Sequence, residues 1–335
     1  MILVTGGTGL IGSHLLWQLV QKNVEVKAIY RNEARLEKVL HVFSYYSKDP
    51  EKYYRKINWV KANLSSIPDL EIAFKQIKEV YHCAALISFD PNDFYRLQKS
   101  NKIGTENIVN LCLANKIKRL CYLSSIATLG RATSGNTISE EIDWTDSYSN
   151  VYALSKHQAE MEVWRGAQEG LPVCILNPGI VLGPGFWRNG SGLLFKIAAK
   201  KPNYYPPGAT GFVSVEDLTN LMILAMNSTI KNERYIVVSE NLTYKAVLDT
   251  IAKGLGVKPA SKILKNWQLQ ILWRLDWFWS ILSSRKRRLT KNTVYSLNNA
   301  QEYNNGKVKK DFSYAFKPIN TSILKYCTYY KRDRN

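Results

Sequence analysis

Tyr152 and Lys156 stand four residues apart in Tyr152-Ala153-Leu154-Ser155-Lys156. On a helix that spacing puts both side chains on one face. An ammonium beside a phenol favours the phenolate and draws the phenol's pKa toward working pH, so Tyr152 is a candidate proton donor and acceptor. Twenty-seven residues upstream of Tyr152, a β-rich run ends in Leu123-Ser124-Ser125. A hydroxyl there can hydrogen-bond a substrate oxygen. Near the start of the chain, Thr5-Gly6-Gly7-Thr8-Gly9-Leu10-Ile11-Gly12 sets glycines at 6, 9 and 12 between a β-rich run and a helical one. Gly6 permits a tight turn, Gly9 lets backbone approach a pyrophosphate, and Gly12 lets helix pack closely on strand. The helix opening at Leu10 and Ile11 offers free N–H groups and a positive dipole end to that anion.

The end of the second strand chooses between dinucleotides. An acidic residue there binds the ribose 2′-hydroxyl of NAD, but the chain reads Ala28-Ile29-Tyr30-Arg31-Asn32. Arg31 suits a 2′-phosphate, so NADP(H) is favoured; Glu33 lies close enough to keep NAD(H) open.

These groups need a scaffold, and the first 180 residues supply its pattern. Apolar runs at Ile2–Thr5, Val24–Tyr30, Ile57–Lys61, Glu79–His82, Arg119–Ser124 and Val173–Asn177 alternate with helical spacing at Leu10–Lys22, Glu33–Val42, Ile67–Ile77, Asn101–Asn115 and Tyr152–Gln168. Such alternation implies an α/β fold, a Rossmann-type doubly wound parallel sheet with right-handed crossovers. Residues 43–56, aromatic and charged, read as an inserted segment. After Asn177, proline- and glycine-rich stretches break the pattern, which returns over 211–238. The expected organisation is a dinucleotide-binding domain of 1–177 joined by 211–238, and a smaller substrate lobe of 178–210 and 239–335.

Composition excludes several classes. The 335 residues are 45% apolar and 22% charged, which rules out long disorder. The five cysteines are odd in number and contain no CxxC, so neither a disulfide framework nor a metal site is expected, and a reducing cytoplasm fits. No targeting segment is expected at the start, because glycines interrupt the first apolar run and no basic stretch precedes it. The net charge of +19 is mostly scattered Lys and Arg, with one dense run at Arg285-Lys286-Arg287-Arg288. With no zinc-finger spacing and no single-strand-binding motif, nucleic acid is not an expected partner.

Taken together the motifs become specific. To the glycine loop and the Tyr152/Lys156 pair the chain adds His82-Cys83-Ala84-Ala85, Asn101 through Asn107, Ser124-Ser125 with Gly130, Pro178 through Gly185, and Gly211 through Asp217. The chain resembles an extended short-chain dehydrogenase/reductase of the NAD-dependent epimerase/dehydratase type, in a branch similar to dihydroflavonol reductases and 3β-hydroxysteroid dehydrogenases. The resemblance implies that Tyr152 is the acid/base and that Lys156 binds the nicotinamide ribose and tunes Tyr152. It selects Ser125 over Ser124 as the residue orienting the substrate oxygen. It implies that Asn63-Leu64 lie against the adenine, that Ala84 and Ala85 line the cofactor, and that Asn101 and Pro178 complete its site. For Asn101, helix capping is the alternative. His82 and Cys83 are expected to pack at their strand end. Relatives often form homodimers through two helices, one bearing the tyrosine.

The expected activity is hydride transfer between NADP(H) and a carbonyl or secondary alcohol on a mostly apolar small molecule. The alternative is a nucleotide-sugar epimerase or dehydratase with tightly bound NAD. Nucleotide-sugar relatives commonly read Arg-Pro-x-Asn after the sixth strand and carry an Arg before a Phe-Val run. Here Ile180 and Thr210-Gly211 take those places, while Phe186, Trp187, Tyr204, Tyr205 and the aromatics of 267–279 offer an apolar lining. That last segment, followed by the basic run, has a second reading as a peripheral membrane contact through 267–288. The alternative is a helix packed inside the substrate lobe.

Overall fold

The computed structural model describes residues 1–130, 137–145, 150–283, 287 and 289–334. The expected strands pair into one seven-stranded sheet in the order β10-β6-β5-β4-β1-β2-β3, parallel throughout. These are β1 Ile2–Thr5, β2 Val26–Tyr30, β3 Ile57–Lys61, β4 Glu79–His82, β5 Arg119–Leu123 and β6 Val173–Pro178. Next come β7 Ile180–Leu182, β8 Tyr204–Tyr205 and β9 Ala209–Ser214. The series ends with β10 Glu233–Val237, β11 Glu240–Thr243 and β12 Lys262–Ile263. Strands β7, β9 and β11 form a three-stranded sheet, and β8 pairs with β12.

The helices are α1 Leu10–Gln21, α2 Leu36–Phe43, α3 Pro50–Tyr54, α4 Ile67–Phe74, α5 Phe94–Leu97, α6 Gly104–Ala114 and α7 Val151–Gln168. They continue as α8 Leu193–Ala199, α9 Val215–Asn227, α10 Tyr244–Leu255, α11 Asn266–Ser283, α12 Lys291–Asn298, α13 Gly306–Asp311 and α14 Ile319–Arg332.

Period-two alternation sends neighbouring strand residues to opposite faces. Val4, Tyr81, Cys121 and Leu176 join a core with α1, α2 and α9, whereas Leu3, Val80, Tyr122 and Ile175 join another with α4, α6 and α7. Because both faces are covered, the central strands are continuous apolar runs rather than alternating ones. A third core, with Phe195, Phe212, Val247 and Ile323, ties α8, β9, α10 and α14 together.

Several boundaries differ from the sequence pattern by two or three residues, two of them for visible local reasons. The helix expected over 33–42 opens as a 3₁₀ turn at Glu33–Arg35, where the Asn32 side chain accepts from Ala34 N, and becomes α-helical at Leu36. Within the 43–56 segment, Phe43 and Tyr45 enter the α1 core, and Tyr46 stacks on Trp17. The helix expected from Asn101 begins as a π-turn over Gln98–Ile103 and becomes α-helical at Gly104.

Candidate active site

The glycine loop behaves as its spacing implies. Gly6 adopts φ +68°, and a Cβ there would lie 2.6 Å from Ala84 N; at Gly12 it would lie 2.2 Å from Gly6 O. Neither place admits a side chain, so loop, first helix and β4 end sit in contact. Gly9 caps α1 without a side-chain hydrogen bond. The first-turn N–H groups, those of Leu10 and Ile11 among them, have no intrahelical acceptor. Above them lies a cleft of about 440 Å³ lined by Gly6, Gly9, Arg31, Asn63, Leu64, Ala84 and Ala85. Arg35, Arg96 and Lys99 also line it, and among the described lining residues none is acidic. This donor-rich, cationic cradle fits a dinucleotide with its phosphates.

The remaining expected contacts are placed unequally. Asn63 turns its side-chain oxygen to Ser65 N at 3.3 Å. Pro178 ends β6 and is buried. Asn101 caps no helix: its side-chain oxygen accepts from Leu86 N at 2.7 Å, and its Nδ2 donates to Leu86 O and to Ser155 Oγ, both at 3.0 Å. It staples the loop after β4 to α7.

Helix α7 starts because Asn150 accepts from Ala153 N at 2.8 Å. This fixes Tyr152 in the first turn and Lys156 one turn further. Tyr152 is partly exposed, lies beside the Ser125 hydroxyl, and is edge-on to Phe89 with ring centroids 5.6 Å apart. Burial pushes the Tyr152 phenol up to about 12, and the Ser125 hydroxyl opposes this. The direction differs from the one expected of a neighbouring ammonium. The reason is geometric: Lys156 Nζ donates to Tyr122 Oη at 2.7 Å and to Leu123 O at 2.8 Å, and lies 4.4 Å from the Tyr122 ring centroid. Burial brings Lys156 down to about 7, with Glu160 acting in the other direction.

Several groups here were given no catalytic role by the motifs that contain them. Thr105 Oγ1 lies 3.0 Å from His82 Nε2; His82 Nδ1 lies 2.6 Å from Thr5 Oγ1, which accepts from Ala84 N at 3.2 Å. A chain of hydrogen bonds thus runs from Thr105 through His82 and Thr5 to Ala84 at the cleft wall, beside the Lys156–Tyr122 contact. His82 packs at its strand end as expected, and burial, with the Lys156 charge adding to it, lowers its pKa to about 3. Cys83 lines the cleft, and burial pushes its thiol up to about 12. One turn beyond Lys156, fully buried Glu160 Oε2 accepts from Ser124 Oγ at 2.5 Å, Thr128 Oγ1 at 2.8 Å and Asn177 Nδ2 at 3.0 Å. Glu160 Oε1 lies 3.4 Å from Arg234 Nη1. Ser124 therefore faces this hub, whereas Ser125 faces Tyr152. Only the i, i+4 placement of Lys156 and Glu160 could have flagged it.

The expected apolar lining is corrected. Trp187 packs on Phe195 and Tyr330 in the third core, and Phe186 packs against the α1 core. Trp267, Trp277 and Trp279 lie on the protein surface instead of lining a cavity. Among the described residues no cluster of His, Cys, Asp or Glu could hold a metal, and no helix is long and apolar enough to cross a membrane.

Known proteins resemble this chain in sequence and in fold. A putative dihydroflavonol 4-reductase of Synechocystis sp. is 26% identical over 274 residues, covering 79% of this chain and 75% of its own. Sterol demethylase protein B of Methylococcus capsulatus is 28% identical over 261 residues, covering 76% and 74%. Among solved structures, gox2253 superposes with a TM-score of 0.81 at 23% identity, covering 99% of this chain and 98% of its own. The UDP-glucose 4-epimerase of Thermotoga maritima, solved with UDP-glucose, gives 0.78 at 18%, covering 100% and 99%. At those identities the superpositions speak for the fold alone. The profile of the NAD dependent epimerase/dehydratase family matches residues 2–238, and with the glycine cradle, the cleft above it and the Ser125, Tyr152 and Lys156 set in place, the chain belongs to that family.

Proposed function

We propose that the chain is an NADP(H)-dependent oxidoreductase interconverting a carbonyl and a secondary alcohol on a mostly apolar small molecule. The carrying observation is that Ser125, Tyr152 and Lys156 are brought to one partly exposed place flanked by apolar surface. Phe89, 43% exposed, abuts Tyr152, and Ile87 is 60% exposed two residues earlier. The relative named a putative dihydroflavonol 4-reductase supports this reading. So does the absence of the two partners that nucleotide-sugar relatives use: Ile180 on β7 pairs with Phe212 on β9, next to Thr210-Gly211.

A bound nicotinamide dinucleotide would supply the hydride equivalent. The glycine loop and α1 amides would hold its pyrophosphate, Arg31 with Arg35 would take a 2′-phosphate, and Asn63 would face the adenine. Tyr152, neutral while its pKa is near 12, would hand its proton to the substrate oxygen that Ser125 orients. Lys156 would hold ribose and supply positive charge behind the phenol. We assign 178–210 and 239–335 to substrate binding.

The test is a thermal-shift and turnover panel with cofactor present. Flavanonols, hydroxysteroids and aryl ketones are compared with UDP-, GDP- and dTDP-sugars. Conversion of a member of the first group is expected. Stabilisation and conversion by a nucleotide sugar alone would replace this reading with the epimerase one.

A further inference from the structure

Helix α11, 18 residues over Asn266–Ser283, is amphipathic in the wrong sense for a protein surface. The stripe turned toward the protein is Leu269, Trp273, Asp276 and Ser280, of which only Leu269 is fully buried. Asp276 spends its carboxylate on Leu289 N at 3.0 Å. The opposite stripe, at helical spacing, is Trp267, Ile271, Leu275, Phe278 and Leu282, all exposed; Trp267 is 60%, Phe278 53% and Leu282 63% accessible. Trp277 and Trp279 widen it on either side. A surface helix normally buries its apolar side, and a contiguous outward apolar face marks an interaction site.

Charge identifies the occupant. Residues 262–291 hold eight Lys or Arg and one acidic residue, Asp276, which points inward. Arg274 lies over the Trp273 ring, with its guanidinium 4.8 Å from the centroid. Directly after the helix comes Arg285-Lys286-Arg287-Arg288, of which Arg285, Lys286 and Arg288 lie outside the described residues. Outward tryptophans and leucines on a segment rich in Lys and Arg match the boundary between acyl chains and anionic headgroups. At about 27 Å long, with Arg274 and Asp276 midway, the helix suits lying along that boundary rather than crossing it.

We propose that α11 forms an interfacial anchor that docks the protein on an anionic lipid bilayer.

The test is cosedimentation of the full chain with sucrose-loaded vesicles of phosphatidylcholine containing phosphatidylglycerol, against vesicles of phosphatidylcholine alone. Two variants accompany it: Phe278→Glu, and a chain carrying Arg285→Gln, Lys286→Gln, Arg287→Gln and Arg288→Gln. Cofactor binding and melting temperature serve as folding controls. The expected result is partition at least about tenfold stronger on the anionic vesicles, weakened by salt, with a blue shift of tryptophan emission. Both variants should lose at least about tenfold in partition while keeping cofactor binding. Absence of wild-type binding to anionic vesicles would overturn the proposal, as would undiminished binding of folded Phe278→Glu. So would sedimentation equilibrium showing, without lipid, a self-association that Phe278→Glu abolishes, because the face would then belong to a second copy.

Discussion

Lys156 Nζ donates to Tyr122 Oη at 2.7 Å, a contact between the middle of α7 and the centre of β5 made on the buried face of the sheet. The phenol oxygen accepts from the ammonium form, so it favours the charged lysine that burial disfavours. Tyr122→Phe removes that acceptor without changing volume much. The Lys156 pKa should drop further below its present value near 7, and cofactor affinity should fall at neutral pH by about tenfold. Cofactor titrations across pH check this. An unshifted profile would show that Leu123 O alone sets the lysine.

Tyr152→Phe is expected to cut turnover by several orders of magnitude and leave cofactor binding intact. The hydroxyl is the only group of Tyr152 that can move a proton, and the ring edge against Phe89 is retained. Single-turnover kinetics beside a cofactor titration separate the two effects. Near-wild-type turnover would remove Tyr152 from the chemistry.

Arg31→Asp should reverse a preference for NADP(H) over NAD(H). The wild-type cleft sets Arg31 and Arg35 on one wall with no acid among its described lining residues, so a 2′-phosphate meets charge-assisted donors. Dissociation constants for both dinucleotides, in both proteins, are the readout. Equal values in the wild type would show that Arg31 plays no part in the choice.

His82 gives a signed pH prediction. Its folded pKa is near 3, against 6.5 in an unfolded chain, so between those values the unfolded state binds the extra proton. Stability from this group is therefore complete above pH 6.5 and falls as pH drops toward 3, with a limiting slope of about 1.4 kcal/mol per pH unit. His82→Gln should be less stable at neutral pH through altered bonds to Thr5 and Thr105, yet show a shallower acid slope. Denaturant melts of both proteins across that range test it; parallel curves would show that the imidazole does not titrate with unfolding.

Glu160→Ala should destabilise the fold by on the order of 3 kcal/mol, because it strands the Arg234 charge and the hydroxyls of Ser124 and Thr128. Chemical denaturation at neutral pH measures this. A loss below ~1 kcal/mol would mean that water replaces the carboxylate without cost.

Sequence alone determined the parts whose physics is local. The glycine loop needs only turn geometry and a helix start. The Tyr152–Lys156 face follows from four residues of helical rise. Strands buried on both sides appear as continuous apolar runs, so β1 and β4–β6 were legible to within a residue of their bounds, and the edge strand β3 was legible from its β-rich residues. Tertiary structure decided whatever depends on distant segments meeting. Residues 122 and 156, or 160, 177 and 234, are brought together only when β5, β6, β10 and α7 pack, and no periodicity records that pairing. The same holds for the direction of the Tyr152 shift, since burial outweighs a charge that is already bonded elsewhere. It also holds for α11: composition marks an apolar helix in either case, but only packing decides which of its faces meets the protein and which is left to solvent.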